Sequence, residues 1–220
     1  MMAAGVYWCM VLLALPGPAL EGGDSSMGSA PRWSPRAWEL ELSFHDPQRI
    51  VVHHPGDREP TTYWYLLYRV TNRTDRDVDF HPTFELVTDS MHSSIGGERI
   101  STTVFEAIRA RHHAQYPFLV QPSRVSGKLL QGDDNGISST AIFRQFDPTS
   151  NRFAIYVGGL SGEVTRIPNP AFEAAEPETE ANPPFFFLRK TLAIRYTLPG
   201  DETSRGVARP TRVGREWVMR

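Results

Sequence analysis

Residues 62–72, "TYWYLLYRVTN", constrain the fold more than any other stretch of the chain. Aromatic and β-branched side chains fill this segment, which favours a β-strand over a helix. Because neighbouring strand residues point to opposite faces, both faces of the strand are rich in apolar side chains. The face with Tyr63 and Tyr65 leaves two alternatives open: packing against a second layer, or an exposed aromatic surface that binds sugars or partner chains. The other face carries Trp64, Leu66, Tyr68 and Val70.

Alternation of apolar and polar residues recurs along the chain and predicts further strands, among them "WELELSF" and "RIVVHH". The polar segment "TNRTDRD" predicts a hairpin between residues 62–72 and "VDFHPTFELVT", whose Pro82 suggests an edge position or a bulge. "FFFLRKTLAIRYTL" predicts a long strand, in which Lys190 interrupts the core face and suggests a bulge or a break. "REWVMR" predicts a last strand. The core-face residues expected in the long strand are Phe186, Leu188, Leu192, Ile194, Tyr196 and Leu198.

A single helix is predicted at about residues 102–113. Thr103 and Glu106 have the spacing of a capping box, and an apolar stripe follows in Val104, Phe105 and Ile108. Many strands, frequent turns and one short helix indicate a mainly β fold. The sequence therefore predicts an antiparallel immunoglobulin-like β-sandwich.

The first part of the chain resembles an export signal. Residues 1–26 form a predicted signal peptide or N-terminal leader, with an uncharged apolar core followed by small residues. A retained anchor is the alternative, although a membrane span needs about 20 apolar residues. Residues 27–37 form a flexible lead-in, and residues 38–220 a single β-sandwich domain with a mobile acidic Pro-rich loop at 168–184. The expected location is extracytoplasmic, either periplasmic or secreted, with no transmembrane span in the mature chain.

Composition excludes several classes of chemistry. The only cysteine, Cys9, lies in the leader, so a processed chain has no disulfide, thiolate nucleophile or cysteine-bound zinc. The formal net charge is −2 and the arginines are scattered, which argues against nucleic acid as a partner. No phosphate loop or dinucleotide motif is present, so no cofactor is predicted.

The most motif-like stretch is "SGKLLQGDDNGISSTAIF", residues 126–143. An EF-hand loop fails here, because alignment of Gly136 at position six leaves no carboxylate at position twelve. A weaker calcium site using Asp133, Asp134 and Asn135 stays open. The alternative is a polar turn in which Gly132 and the Asn135–Gly136 pair adopt positive φ.

Other candidate sites have a simpler alternative. His53–His54 and His112–His113 are adjacent pairs, and adjacent strand residues point to opposite faces, so neither pair chelates a metal by itself. A copper site using Met91 and His92 stays open. "GGLSGE" has the glycine after its serine one position too early for a hydrolase elbow and is better explained as a tight hairpin. The sequon at Asn72 is treated as chance.

Several segments carry a family resemblance: "YLLYRVTNRTDRDVDFHPTFELVTD", "LLQGDDNGISSTAIF", "VFEAIRARH", "AIFRQFDPTSNRFAIYVGGLSGE" and "LRKTLAIRYTLPGDE". Together they resemble an uncharacterised family of secreted planctomycete proteins with an immunoglobulin-like β-sandwich. This resemblance covers nearly the whole mature chain. It implies an extracytoplasmic sandwich protein and brings no activity or site residue with it.

These observations favour a non-catalytic exported cell-envelope protein that acts as a binding or assembly module. The expected partner is an envelope protein or a glycan. The alternative is a calcium- or copper-binding protein, or an enzyme whose site is assembled from dispersed loop residues.

Overall fold

A computed structural model describes residues 38–145, 149–201, 205 and 207–220; the predicted leader and lead-in lie outside these residues. The fold is mainly β, with antiparallel sheets and one short helix, as the sequence predicts. The immunoglobulin-like character stays a prediction. The elements are β1 (Glu41–Phe44), β2 (Gln48–Val52), β3 (Thr61–Asn72), β4 (Val78–Phe80), β5 (Thr83–Thr88), β6 (Ser93–Ile95), α1 (Thr102–His112), a 3-10 turn (Pro122–Arg124), β7 (Gly127–Leu129), β8 (Gly132–Arg144), β9 (Arg152–Gly158), β10 (Val164–Pro168), β11 (Phe185–Thr197) and β12 (Thr211–Met219).

The strands form two main sheets. In sheet I the long strand β3 is central, with β1 and β2 following each other along one edge and β8 along the other. Sheet II has the order β6-β5-β9-β11-β12, and β10 pairs with the first part of β11. A small ribbon of β4 and β7 lies beside them.

The main core lies between the two sheets. Leu66 and Val70 of β3 are fully buried there with Ile155 of β9 and Ile194 of β11. The rings of Tyr68 and Phe84 are 4.7 Å apart between centroids, which joins β3 to β5. These are the alternate positions that the strand pattern predicts to be apolar, so burial of one face of each sheet explains the sandwich.

A second core lies on the outer face of sheet I, beneath α1. Val104, Phe105 and Ile108 of the helix pack there, and these are the three residues of the predicted apolar stripe. Tyr63 is 4% and Tyr65 0% exposed beneath this helix layer. This corrects the expectation of an exposed binding surface at the two tyrosines, because both faces of β3 are covered and the rings pack against a second layer.

The N-cap of the helix lies two residues before Thr103, where the capping box places it. Ser101 is the N-cap, and its hydroxyl accepts a hydrogen bond from the backbone N–H of Thr103. Thr103 therefore lies inside the first turn, because the hydroxyl of Ser101 already satisfies a free N–H of the helix start. Within the described part of the chain, α1 and every other helix fall short of the length and apolarity that a membrane span needs.

The predicted hairpin after β3 is wrong. The segment divides at Pro82 into β4 and β5, and neither pairs with β3; β4 pairs with β7, and β5 with β9 and β6. The chain instead crosses from one sheet to the other through a turn organised by Asn72, which is fully buried. Its amide nitrogen donates to the carbonyls of Arg76 and Leu129, and its amide oxygen accepts from the N–H and hydroxyl of Thr74.

The long strand β11 changes partner near Lys190. Residues up to Arg189 pair with β10, whereas Leu192–Thr197 pair with β9. The Lys190 ammonium lies 2.9 Å from Glu39 and 3.4 Å from Glu163, which neutralises a cation at the core edge. The predicted break is therefore present at Lys190 as a change of partner on one side of the strand, whereas the bulge lies elsewhere, between Arg195 and Tyr196, where the pairing with β12 shifts.

Of the six core-face residues predicted in this strand region, the last four are buried, whereas Phe186 is exposed and Leu188 is half-buried in the part that pairs with β10.

The predicted hairpin at "GGLSGE" is also wrong. β9 and β10 do not pair with each other, because each pairs with a different part of β11. Gly159 has φ +80°, and a Cβ there would stand 2.3 Å from the carbonyl oxygen of His81. Only glycine allows this close backbone approach.

The acidic segment at 168–184 joins β10 to β11. Its glutamates are exposed, as their mutual repulsion and the prolines predict. Two asparagines organise it: Asn169 donates to the carbonyl of Pro183, and Asn182 exchanges hydrogen bonds with the backbone of Glu173. The mobility expected of this loop stays a prediction.

The buried amide of Asn72 generates a stability prediction. We expect Asn72→Ala to lower the free energy of unfolding by about 2–4 kcal/mol, because it leaves the buried carbonyl of Leu129 and the N–H of Thr74 without partners. Asn135→Ala is the matched control, since exposed Asn135 makes one hydrogen bond to the Gln131 carbonyl; its cost should stay below about 1 kcal/mol. Urea denaturation measures both, and equal costs would contradict the role of Asn72.

Candidate anion-binding cleft

A cleft of about 630 Å³ opens at one end of the sandwich, where the three layers meet. The connection from β1 to β2 supplies one wall, the last turn of α1 a second, and the segment before β12 a third. The indole of Trp64 on β3 lies at its base and is 2% exposed. The cleft is lined by His45, Asp46, Pro47, Gln48, Arg49, Trp64, Arg111, Val207, Ala208, Arg209 and Pro210.

Arg111 is the best-fixed cation of the cleft. It lies in the last turn of α1, where a positive charge is favourable beside the negative end of the helix dipole. Its Nη1 donates to the backbone carbonyl of Arg49 at 2.7 Å and to the Tyr65 hydroxyl at 3.3 Å. These bonds use one nitrogen of the guanidinium and hold its plane in position, while the remaining N–H groups stay available.

The Tyr65 hydroxyl connects the cleft to the helix layer. It donates to Oε1 of Gln48 at 3.0 Å and lies 2.8 Å from Nε2 of His112. Because Tyr65 gives its single proton to Gln48, His112 donates to Tyr65 from Nε2. Burial raises the pKa of Tyr65 despite the opposing effect of Arg111. Burial, with the positive charges of Arg111 and His45, lowers the pKa of His112.

The one carboxylate in the lining is already engaged. Asp46 accepts a hydrogen bond from the Tyr196 hydroxyl at 3.1 Å and forms an ion pair with Nε of Arg212, also at 3.1 Å. Burial, reinforced by the negative charge of Asp46, raises the pKa of Tyr196, so its hydroxyl stays a donor. His45 on the same wall bonds to the Tyr116 hydroxyl through Nε2.

The electrostatic balance of the cleft is therefore positive. Among the described residues, no carboxylate lies within ion-pair distance of Arg49, Arg111 or Arg209, whereas Arg73, Arg195, Arg212 and Arg220 each pair with at least one. Guanidinium groups bind carboxylates and phosphates through two parallel hydrogen bonds. The lining contains no serine, threonine, cysteine or lysine that would act as a nucleophile. The arrangement suits the binding of an anion.

The residues predicted to bind calcium lie elsewhere. Asp133, Asp134 and Asn135 are exposed at the start of β8, and Asp133 pairs with Nε of Arg73 at 2.8 Å. Among the described residues, no group of three or more histidine, cysteine, aspartate or glutamate side chains is placed to hold a metal ion. The copper candidates Met91 and His92 are exposed in the turn between β5 and β6.

The alternative explanation of the same stretch, a glycine-supported turn, is correct in part. Gly132 has φ +107°, but Asn135 and Gly136 continue the strand without positive φ. Gly136 instead leaves room for a neighbouring side chain, because a Cβ there would stand 2.7 Å from Nη2 of Arg69.

Sequence reasoning missed the cleft. Its three unpaired arginines come from β2, α1 and the segment before β12, and no local spacing relates them. The only available signal is the basic last turn of α1, which equally suits a helix C-terminus.

No protein-family model, curated protein or solved structure matches the chain. The planctomycete family resemblance accordingly stays a prediction, and the function rests on the geometry alone.

The lowered pKa of His112 generates a prediction about acid stability. The folded chain favours neutral His112, so its contribution to stability is complete above the ordinary value of 6.5. As the pH falls below that value, the unfolded chain binds a proton before the folded chain does, and stability decreases until the folded pKa is passed. We expect the urea midpoint to fall with pH across this window and His112→Gln to flatten the slope.

The control is His113→Gln. His113 follows directly in the sequence but is exposed, so its replacement should leave the pH slope unchanged. A slope that persists in His112→Gln would assign the acid sensitivity to another group.

Proposed function

We propose that this chain is a non-catalytic exported protein of the cell envelope that binds an anionic ligand in the cleft at the end of the sandwich. The ligand class is a molecule that carries a phosphate or a carboxylate. The single observation that carries the proposal is the placement of Arg49, Arg111 and Arg209 around one opening without carboxylate partners among the described residues.

The cleft combines this positive charge with apolar surface. Pro47 and Pro210 contribute rigid apolar walls, and the Gln48 side chain accepts a bond from Tyr65, which leaves its amide N–H groups to donate. Ligand sites of this size are lined by apolar groups with a few polar groups that fix orientation. Recognition here would rest on hydrogen bonds from Arg111, whose position the protein fixes before the ligand arrives, so little entropy is lost on binding.

Export is the second part of the proposal and is supported by the leader pattern in residues 1–26. An extracytoplasmic module with a positive cleft would meet the phosphate and carboxylate groups of envelope polymers. The family resemblance agrees with this location.

The binding prediction uses isothermal titration with inorganic phosphate and with citrate as probes. We expect saturable binding of at least one probe, weakened about tenfold by Arg49→Gln and by Arg209→Gln, because each variant removes a charge-assisted hydrogen bond. The side chains of both arginines make no ion pair in the described residues, so folding should be unaffected. Affinity should also fall as salt is added, because ions screen the partly exposed charges.

Arg124→Gln is the matched control. It removes the same charge from an exposed position that does not line the cleft, and it should leave the affinity unchanged. An equal loss in Arg124→Gln would indicate a diffuse charge effect, and lack of saturable binding would overturn the proposed ligand class.

The export prediction concerns the start of the mature protein. We expect it to begin between about Ala19 and Met27, because the apolar core of the leader is followed by small residues that suit a signal-peptidase site and then by polar residues. Intact-mass measurement on protein from the native host tests this. Retention of Met1 or Met2 together with recovery in the membrane fraction would replace export by anchoring.

A further inference from the structure

A second depression, of about 730 Å³, lies on the outer face of sheet II and shares no lining residue with the anion cleft. We call it the glycine groove, because Gly158, Gly159 and Gly162 lie among its lining residues. Its other lining residues come from β5, β9, β11 and the connections beside them, together with Trp38 and Arg220. No described helix covers this face of sheet II, whereas α1 covers the corresponding face of sheet I.

Close packing forms the floor of the glycine groove. A Cβ at Gly158 would stand 2.4 Å from the Thr83 hydroxyl, and one at Gly162 would stand 2.5 Å from the indole nitrogen of Trp38. The N–H of Gly162 also donates to the carbonyl of Trp38 at 3.0 Å. The glycines therefore allow the side chains of Thr83 and Trp38 to lie directly against the backbone of Gly158 and Gly162, which makes the floor closely packed.

Aromatic rings stand beside this floor. Tyr156 projects from β9, with the Arg220 guanidinium carbon 4.2 Å from its ring centroid. Arg220 in turn pairs with Glu85 at 2.7 Å, which holds the ring and the two charged groups as one unit. Tyr156 also lines a neighbouring depression of about 570 Å³, whose lining combines apolar residues such as Val87 and Val213 with charged ones such as Arg152, so the two depressions adjoin at Tyr156. Tyr156 is thus the residue that the two depressions share.

The charges in the glycine groove are balanced, unlike those in the anion cleft. Asp79 and Glu85 oppose Arg189 and Arg220, and His81 and Ser161 add short polar groups. This lining offers hydrogen-bond donors and acceptors in similar number, without a net charge that would favour an ion. A neutral ligand rich in hydroxyl groups and with apolar faces for the rings satisfies both features.

We propose that the glycine groove binds a neutral oligosaccharide chain, at a site separate from the anion cleft. The carboxylates and guanidinium groups would bond sugar hydroxyls, while Tyr156 and Trp38 would contact the apolar faces of the sugar rings. An extended peptide is disfavoured, because its backbone amides need partners and the backbone groups on a sheet face are already paired within the sheet. The aromatic ring shared by the two depressions and the balanced charge of the glycine groove both suit a chain of neutral sugars.

The test is isothermal titration of the folded chain with cellohexaose, maltohexaose and chitohexaose. We expect at least one of them to bind with a dissociation constant in the millimolar range or below. Tyr156→Ala should weaken this binding about tenfold, because it removes the ring that the two depressions share. Glu85→Gln should also weaken it, since the neutral amide loses a charged acceptor and the ion pair that holds Arg220.

Two controls separate the glycine groove from other effects. Phe118→Ala removes an aromatic ring that is 87% exposed and does not line the groove, so affinity for the sugar should not change. Arg49→Gln should leave sugar binding intact, and Tyr156→Ala should leave anion binding intact, which also verifies that each variant is folded. Failure of all three sugars to bind, or binding that Tyr156→Ala does not weaken, would overturn the proposal without affecting the anion cleft.

Discussion

Burial of β3 on both faces is the constraint on which the rest of the structure depends. An apolar strand face exposed to water is costly, so each face of this strand requires a covering layer. Sheet II covers the face with Leu66 and Val70, and α1 covers the face with Tyr65. The order of layers, helix on sheet on sheet, follows from that single strand, and the outer face of sheet II is the face that no described helix covers.

The polar groups that join these layers also shape the anion cleft. Buried hydroxyls need partners, so Tyr65 bonds to Gln48 and His112, and Tyr196 bonds to Asp46. The same bonds hold Arg111 in place and occupy the only carboxylate in the lining, which leaves the cleft positive. The hydrogen bonds that the buried hydroxyls require thus leave the cleft with a positive charge. One network therefore contributes both to stability and to the proposed binding.

Local patterns predicted the elements better than they predicted their partners. The stripe of Val104, Phe105 and Ile108 identified the helix and its buried face, because a helix period of 3.6 residues appears directly in the sequence. The hairpin after β3 and the hairpin at Gly159 were both wrong. Each segment has a sequence typical of a turn. The partner of the following strand, however, depends on which sheet can bury the apolar face of that strand, and that sheet includes strands from distant parts of the chain.

The sequence by itself determined the mainly β character, the helix and the double apolar face of β3, since each depends only on the order of side chains along a short segment. Only the tertiary structure decided that Tyr63 and Tyr65 are interior, and that Arg111 lies beside the backbone of Arg49 at a separation of 62 residues. A site assembled from distant residues has no local period. Its geometry depends on the tertiary packing, which determines which strand faces are in contact and which charged groups form ion pairs.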